Sequence, residues 1–243
     1  MDPSGPTPDV SFVVPAWNEE VQLPGCLQAI AQAVAALPRA TTHEIVVVDD
    51  ASTDSTAAFA RAAGARVVAV DRQQISAVRN AGARAARAAR LVFVDADTRI
   101  SGELLEAALA ALDAGAVGGG APIRFDAPLP LLTALFVKLT LVTFRLLTLA
   151  GGCFLFVDRA AFEAAGGFSE ELYGTEELAL AAALKRQGRF VLLRVAVSSS
   201  ARKLLAYSPK EMAVMSFKQV FRGRRAFRSR EGLEFWYGPR RRT

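Results

Sequence analysis

Short apolar runs alternate along this chain with longer stretches whose apolar residues recur at helical spacing. Residues 10–14 read as a strand ended by Pro15, which cannot donate to a ladder. Asn18 then caps a helix that opens with Glu19 and Glu20, placing negative charge at its N-terminal end. Residues 45–48 form a second strand ending in Asp49 and Asp50, and Ser52 or Thr53 opens a helix closed by Gly64. A strand at 65–70, a helix at 74–88, a strand at 91–94, a helix at 101–114 and a strand at 116–121 follow. Continuous apolar strands interleaved with helices predict a mostly parallel sheet covered on both faces.

Pro128 and Pro130 mark a change of regime. Residues 129–149 are almost wholly apolar but contain Lys138 and Arg145, and Gly151 and Gly152 end the run. A strand is predicted at 153–157, then a short helix capped by Asp158, running through Ala165 and stopped by Gly166 and Gly167. A polar loop leads to Glu176 and Glu177, which start a helix reaching Gln187 and ending at Gly188. Residues 190–197 read as a last strand.

Composition changes this picture in two places. The 243 residues are 52% hydrophobic with a mean hydropathy of +0.25, but much of that is alanine, a helix former with little membrane affinity. The net charge of +5 is unevenly placed: residues 201–243 carry twelve Lys/Arg against three Asp/Glu, and the preceding body is mildly acidic. The first nine residues are polar and Pro-rich with no apolar core of a secretory signal, and are expected to be disordered. Cys26 and Cys153 make neither a disulfide framework nor a metal-ligand spacing, so a reducing cytoplasm is expected. The single histidine, His43, precedes a strand and is assigned no chemistry.

The chemistry concentrates in FVDADT at 93–98, where Asp95 and Asp97 emerge from the C-terminal end of an apolar strand. That rim is where ligands bind in open α/β sheets. Two acids crowded there repel unless a cation or amide donors offset them, and a hard divalent ion shared with a diphosphate would do so. A polar βα turn is the alternative. If the strands are parallel, Asp49 and Asp50 reach the same crevice, and the hydroxyl-rich VVVDDASTDST supplies helix N-terminal amides suited to a nucleotide. Turn-and-cap chemistry is the alternative for this pair, and dipole compensation for Glu176 and Glu177.

Five ordered blocks, VSFVVPAWNEE (10–20), EIVVVDDASTDST (44–56), SAVRNAGARAA (76–86), LVFVDAD (91–97) and GGCFLFVDRAAFEAAGGFSEELYGTEEL (151–178), together resemble the family 2 glycosyltransferases of the GT-A fold. The resemblance covers about 10–195 and implies a nucleotide-diphospho-sugar donor with Mn²⁺ or Mg²⁺. It implies that Pro15, Asn18 and Glu19 line the first nucleotide-contacting loop and that Asp49 and Asp50 read the base and ribose. By the same resemblance Arg79 and Asn80 lie near the base or diphosphate, Asp95 and Asp97 hold the metal, and Gly151 and Gly152 form the turn beside the acceptor. Glu176 and Glu177 fall where the family has Glu-Asp, whose second residue is the catalytic base of inverting members. Glu177 departs from that Asp by one methylene; it is favoured as the base, with Glu176 as the alternative. Arg202 is a candidate diphosphate partner or a plain surface arginine.

The implied organisation is a GT-A domain at 10–200, with a nucleotide-binding half at about 10–121 and an acceptor half at about 122–200. A basic, aromatic extension follows at 201–243. The Gln-x-x-Arg-Trp ending of processive synthases is absent, which favours a single transfer to a hydroxyl acceptor on a glycan or lipid-linked carrier. Two rivals remain: a nucleotidyltransferase, which would carry a Gly-rich basic loop where PAWNEE stands, and a catalytically silent nucleotide-binding protein.

A bilayer span at 129–149 is disfavoured. About a dozen Leu, Val and Phe at roughly −0.5 kcal/mol each are cancelled by Lys138 and Arg145 at about +3 each. Seven positions apart, those two cations share one helix face, so a helix in the membrane interface or an ordinary lid helix fits better. Val214, Phe217, Val220 and Phe221 are predicted to face one side of a second amphipathic helix bearing Lys210, Lys218 and Arg222. Arg224, Arg225, Arg228, Arg230, Trp236, Tyr237 and Arg240 to Arg242 complete a basic, aromatic segment suited to an anionic leaflet at the inner face of the cell membrane. No nucleic-acid module is visible; a solvated tail or a homo-oligomer surface is the alternative.

Overall fold

The computed structural model describes residues 6–146, 151–207, 211, 227–231 and 233, with the backbone alone at 144–146. The first half runs β1 (Val10–Ala16), α1 (Leu23–Ala35), β2 (His43–Asp50), α2 (Thr56–Ala62), β3 (Arg66–Val70), α3 (Ile75–Ala85) and β4 (Arg90–Val94). Then come β5 (Thr98–Arg99), α4 (Gly102–Asp113), β6 (Gly118–Gly120), β7 (Ile123–Phe125) and α5 (Leu131–Leu146). The remainder is β8 (Phe154–Asp158), α6 (Arg159–Ala164), α7 (Glu176–Lys185), β9 (Phe190–Leu192), β10 (Val197–Ser199) and α8 (Arg202–Leu205).

The main sheet has the order β3-β2-β1-β4-β8-β6-β9. The strands from β3 to β4 are mutually parallel, and β8 alone runs antiparallel to its neighbours β4 and β6. Alternate residues of β1 serve opposite faces. Val10, Phe12 and Val14 pack with Leu23, Ile30, Leu104 and Leu105 of α1 and α4. Val13 packs on the other face with Val78 of α3, Phe162 of α6 and Leu180 of α7. A Cβ on Gly82 would collide with Val13 and Val48, so glycine there lets α3 sit close on β1 and β2.

Two topological details position the site. Because β8 is antiparallel, Phe154 pairs with Val94, which returns Gly151 and Gly152 to the rim where β4 ends; the Asp95 amide donates to the Cys153 carbonyl at 3.1 Å. A small sheet of order β5-β10-β7 then pairs Thr98 with Ser199, bringing the segment after β10 alongside Asp97. The Ser200 amide donates to the Asp97 carbonyl at 3.2 Å.

Several expectations are corrected. β1 continues through Pro15 to Ala16, because its pairing with β4 stops at Val13 and the ladder there lies on the β2 side. Asn18 does not cap a helix: α1 begins at Leu23, with Pro24 in its first turn and Gln22 at the cap. α2 starts at Thr56, later than Ser52 or Thr53, since those two residues are engaged by Asn18. The stretch at 190–197 is two strands in different sheets, β9 and the start of β10. Asp9, expected to be disordered, accepts from the Thr42 amide at 2.8 Å and the Thr42 hydroxyl at 2.7 Å. Among the described residues no helix is long and apolar enough to cross a membrane. The amphipathic stretch through Val214, Phe217, Val220 and Phe221, and the cations and aromatics from Trp236 onward, lie outside the described residues.

Candidate functional site

At the C-terminal ends of β1 and β2 two loops are clasped together. Asn18 adopts a left-handed backbone (φ +50°), the region that asparagine tolerates better than most residues. Its side-chain oxygen accepts from the Thr53 amide at 2.8 Å, and its own amide donates to the Ser52 hydroxyl at 2.9 Å. The Glu19 amide donates to the Thr56 hydroxyl at 2.7 Å. Asn18 therefore fixes the loop after β2 against the loop after β1. Asp50 is buried and one of its oxygens accepts from the Arg72 and Gln73 amides at 2.7 and 3.1 Å. Its neighbour Asp49 is also buried, and its Oδ1 has no hydrogen-bond partner in the protein. An orphaned buried acceptor calls for a donor, and a base N–H or ribose hydroxyl has that chemistry.

Asp95 and Asp97 follow β4. Burial, then the charge of Asp95, holds the Asp97 carboxyl above its ordinary value, with Lys203 and Arg202 opposing. The Arg202 guanidinium bonds Asp97 at 3.2 Å and Glu19 at 2.5 Å, tying the start of α8 to the first loop and the acidic turn. Among the described residues no group of three or more acids, histidines or cysteines is gathered to hold a metal. Two hard carboxylates one residue apart have the chemistry to hold a cation whose other ligands would come from diphosphate and water.

Arg79 of α3 lies beneath this turn, 3% exposed. It donates to Asp95 at 2.9 Å, to the Gly152 carbonyl at 2.8 Å and to Glu176 at 2.8 Å. Burial disfavours its charge, but Asp95, Glu176 and Glu177 outweigh that and raise its pKa further. Glu176 is thereby committed to an ion pair. Glu177 is enclosed around its carboxyl while the residue keeps some exposed surface. Burial, then the Glu176 charge, pushes it up to about 8, with Arg79 opposing. A Cβ on Gly152 would lie 3.3 Å from the Arg79 guanidinium and 3.4 Å from the Glu177 carboxyl, so this glycine keeps the turn close to both.

The sequence-derived residues do not all reach the crevice in the same way. Glu19, Asp95, Asp97 and Arg202 form one chain of contacts, and Arg79 joins Asp95 to Glu176 beside Gly152. Asn80 faces elsewhere: it donates to the Phe168 carbonyl and Glu170 at 2.9 Å each and accepts from the Phe168 amide at 2.9 Å. It thus holds the loop that leads to α7. Gly151 packs toward Ile123. The sequence gives no sign of the Arg72 and Gln73 amides, and it marks Ser52 and Thr56 only as a helix start and part of a hydroxyl-rich run, not as partners of the loop after β1. The run of Ser and Thr after Asp50 was the available signal for the hydroxyls; backbone amides leave none.

Residues 11–164 match the model of the family described as "Glycosyl transferase family 2". The succinoglycan biosynthesis protein ExoO of Rhizobium meliloti is 36% identical over 123 residues, 49% of this chain and 33% of that protein. The chain thus spans about a third of the length of that curated relative. The mannosyltransferase PcManGT of Pyrobaculum calidifontis, solved with GDP-Man and Mn²⁺, superposes with a TM-score of 0.66 at 20% identity, covering 91% of this chain and 66% of its own. Glucosyl-3-phosphoglycerate synthase of Mycobacterium tuberculosis, solved with Mn²⁺, UDP and glucosyl-3-phosphoglycerate, gives a TM-score of 0.61 at 20% identity, covering 95% of this chain and 80% of its own. With more than half of the chain matched and the GT-A architecture shared, this protein belongs to glycosyl transferase family 2.

Proposed function

We propose that the chain transfers one sugar from a nucleotide-diphospho-sugar to an acceptor hydroxyl, with inversion at the anomeric carbon. The observation that supports this most is Arg79, whose guanidinium joins the acidic turn of Asp95 to Glu176, the residue before Glu177. Donor and acceptor chemistry are then framed by one buried cation. Asp49 and Asp50 read base and ribose, and Glu19 with the Asn18 clasp walls that pocket. Asp95 and Asp97 are the residues that would hold Mn²⁺ or Mg²⁺, which supplies positive charge against the diphosphate.

Glu177, its own proton lost, takes the proton of the acceptor hydroxyl. The acceptor oxygen forms the new bond to the anomeric carbon, and the bond to the diphosphate breaks with its electron pair leaving on the nucleotide. No covalent intermediate is required. Glu176 cannot share the base role without releasing Arg79, a buried partner at 2.8 Å. The test is a panel of UDP-, GDP- and dTDP-sugars, each with Mn²⁺ or Mg²⁺, read by nucleoside-diphosphate release and by thermal shift. Metal-dependent release that Asp97→Ala abolishes is expected; full activity of Asp97→Ala in chelator overturns the assignment.

On the acceptor side we read α5 as a membrane-contacting element. Leu131, Leu132, Leu135, Phe136, Leu139 and Val142 are exposed, and at 100° per residue they cluster on one helix face flanked by exposed Lys138. An apolar face with a basic flank, in a chain whose residues 201–243 carry nine net positive charges, complements an anionic lipid surface. A lipid-linked acceptor at the inner face of the cell membrane is the substrate class this favours.

A further inference from the structure

The C-terminal extension lies beyond the family-matched span, yet part of it is seated on the site. Arg230 donates to the Gln73 carbonyl at 2.6 Å and to the Arg72 carbonyl at 3.4 Å. Those are the two residues whose amides hold Asp50, and Gln73 is itself in the left-handed region (φ +48°). The same guanidinium lies 5.5 Å over the Tyr173 ring, and the Phe227 carbonyl accepts from the Tyr173 amide at 2.7 Å. Phe227 and Leu233 then pack against Gly174: a Cβ there would lie 3.0 Å from Phe227 and 3.8 Å from Leu233, which is fully buried. Gly174 is followed by Thr175, the left-handed residue that opens α7 just before Glu176 and Glu177.

One segment therefore grips both the turn that orients Asp50 and the loop that delivers Glu177. We infer that residues 227–231 and 233 form a strap that positions the nucleotide-reading turn and the base-bearing loop relative to each other, with Arg230 and Phe227 as its positioning residues. The inference rests on the sugar-transfer reading. Physically, Nη2 of the planar fork answers the Arg72 and Gln73 carbonyls while Nη1 reaches the Gln73 side-chain oxygen at 3.4 Å, a two-pronged grip on the 72–73 turn that a lysine cannot reproduce. Without it, the strained backbone at Gln73 has fewer contacts to hold it in place. Gly174 leaves the room that Phe227 fills; a side chain at 174 would push the strap away.

The two ends predict different defects. Arg230→Ala should weaken binding of the cognate nucleoside diphosphate with Mn²⁺ about tenfold, the scale of one or two lost hydrogen bonds. Arg230→Lys should recover part of this. Phe227→Ala should lower kcat about tenfold with little change in donor KM, because its contact is to the loop before Glu177. Amide exchange gives a readout independent of turnover. Adding nucleotide to the wild type should slow exchange at Arg72 and Gln73 and also at Phe227 to Glu231, and Arg230→Ala should speed exchange at 72–73. A wild type that binds nucleotide without any change at Phe227 to Glu231, or variants matching it in donor affinity and kcat, overturns the strap. A wild type that binds no nucleoside diphosphate overturns the sugar-transfer reading instead.

Discussion

Arg79 and Glu176 form an ion pair at 2.8 Å across 97 residues of sequence, with side chains 4% and 6% exposed. The same guanidinium bonds Asp95 at 2.9 Å, so one buried cation answers two acids from distant segments of the chain. Removing one partner of such a set leaves an uncompensated charge in a poorly solvated place, at a cost of about 3–5 kcal/mol. Arg79→Met should therefore lower the melting temperature sharply and abolish transfer. Arg79→Met combined with Glu176→Met should be less destabilised than the sum of the single changes. Additive effects in a double-mutant cycle, read by denaturant melts, would show that the pair is not coupled.

Glu177 predicts the pH profile. A base works only when deprotonated, and burial together with Glu176 raises its pKa to about 8. The kcat of the wild type should rise about tenfold per pH unit below that value and level off above it. Glu177→Gln should cost about 10²–10⁴ in kcat above pH 8, with the gap closing as pH falls and the wild-type base becomes protonated. Stability runs the other way. Between the ordinary glutamate value of 4.5 and about 8 the native state binds the proton that the unfolded chain has lost. Stability from this group thus falls as pH rises through that window. Glu177→Gln should melt higher than wild type at pH 8 and nearly equal to it at pH 4; a lower melting point at pH 8 would contradict the assignment.

Much of this site is legible in the sequence because acids that end apolar strands must reach the rim of a parallel sheet. Asp49, Asp50, Asp95 and Asp97 follow from that rule alone. What the pattern hides has physical causes. An apolar run carries no direction, so nothing in Phe154–Asp158 says that β8 is antiparallel and returns Gly152 to Asp95. β5, β7 and β10 are two or three residues long, too short for periodicity, yet they bring Arg202 to Asp97. Asn18 has the composition of a helix cap, and only its positive φ turns it toward Thr53. Which of Glu176 and Glu177 is tied into an ion pair depends on Arg79, far away in the chain.

Arg202 bridges Glu19 and Asp97, where a cation and a diphosphate are proposed to bind. A guanidinium cannot hold both acids and also share Asp97 with a divalent ion at no cost. Arg202→Ala should therefore bind free Mn²⁺ more tightly than wild type. It should also raise donor KM about tenfold, because an arginine released from Asp97 is well suited to phosphate oxygens. Isothermal titration with Mn²⁺ alone, then with Mn²⁺ and nucleotide, separates the two effects. If both affinities move the same way, Arg202 is not exchanging Asp97 for the donor.

The exposed face of α5 makes the membrane reading measurable. Leu135 and Leu139 are one helical turn apart and both largely in solvent, as Leu131 is one turn before. A face this apolar gains free energy by leaving water, and Lys138 at its flank adds attraction to anionic headgroups. The wild type should co-sediment with vesicles containing about one-third phosphatidylglycerol and only weakly with pure phosphatidylcholine, less so as salt rises. Leu135→Gln with Leu139→Gln should cut that binding about tenfold or more while leaving the melting temperature within a few degrees, since neither side chain supports the core. Phe59→Gln, an exposed apolar residue on α2, should leave vesicle binding unchanged. A wild type that ignores vesicles but dimerises through this face, with the double variant monomeric, assigns α5 to a second copy of the chain instead of lipid.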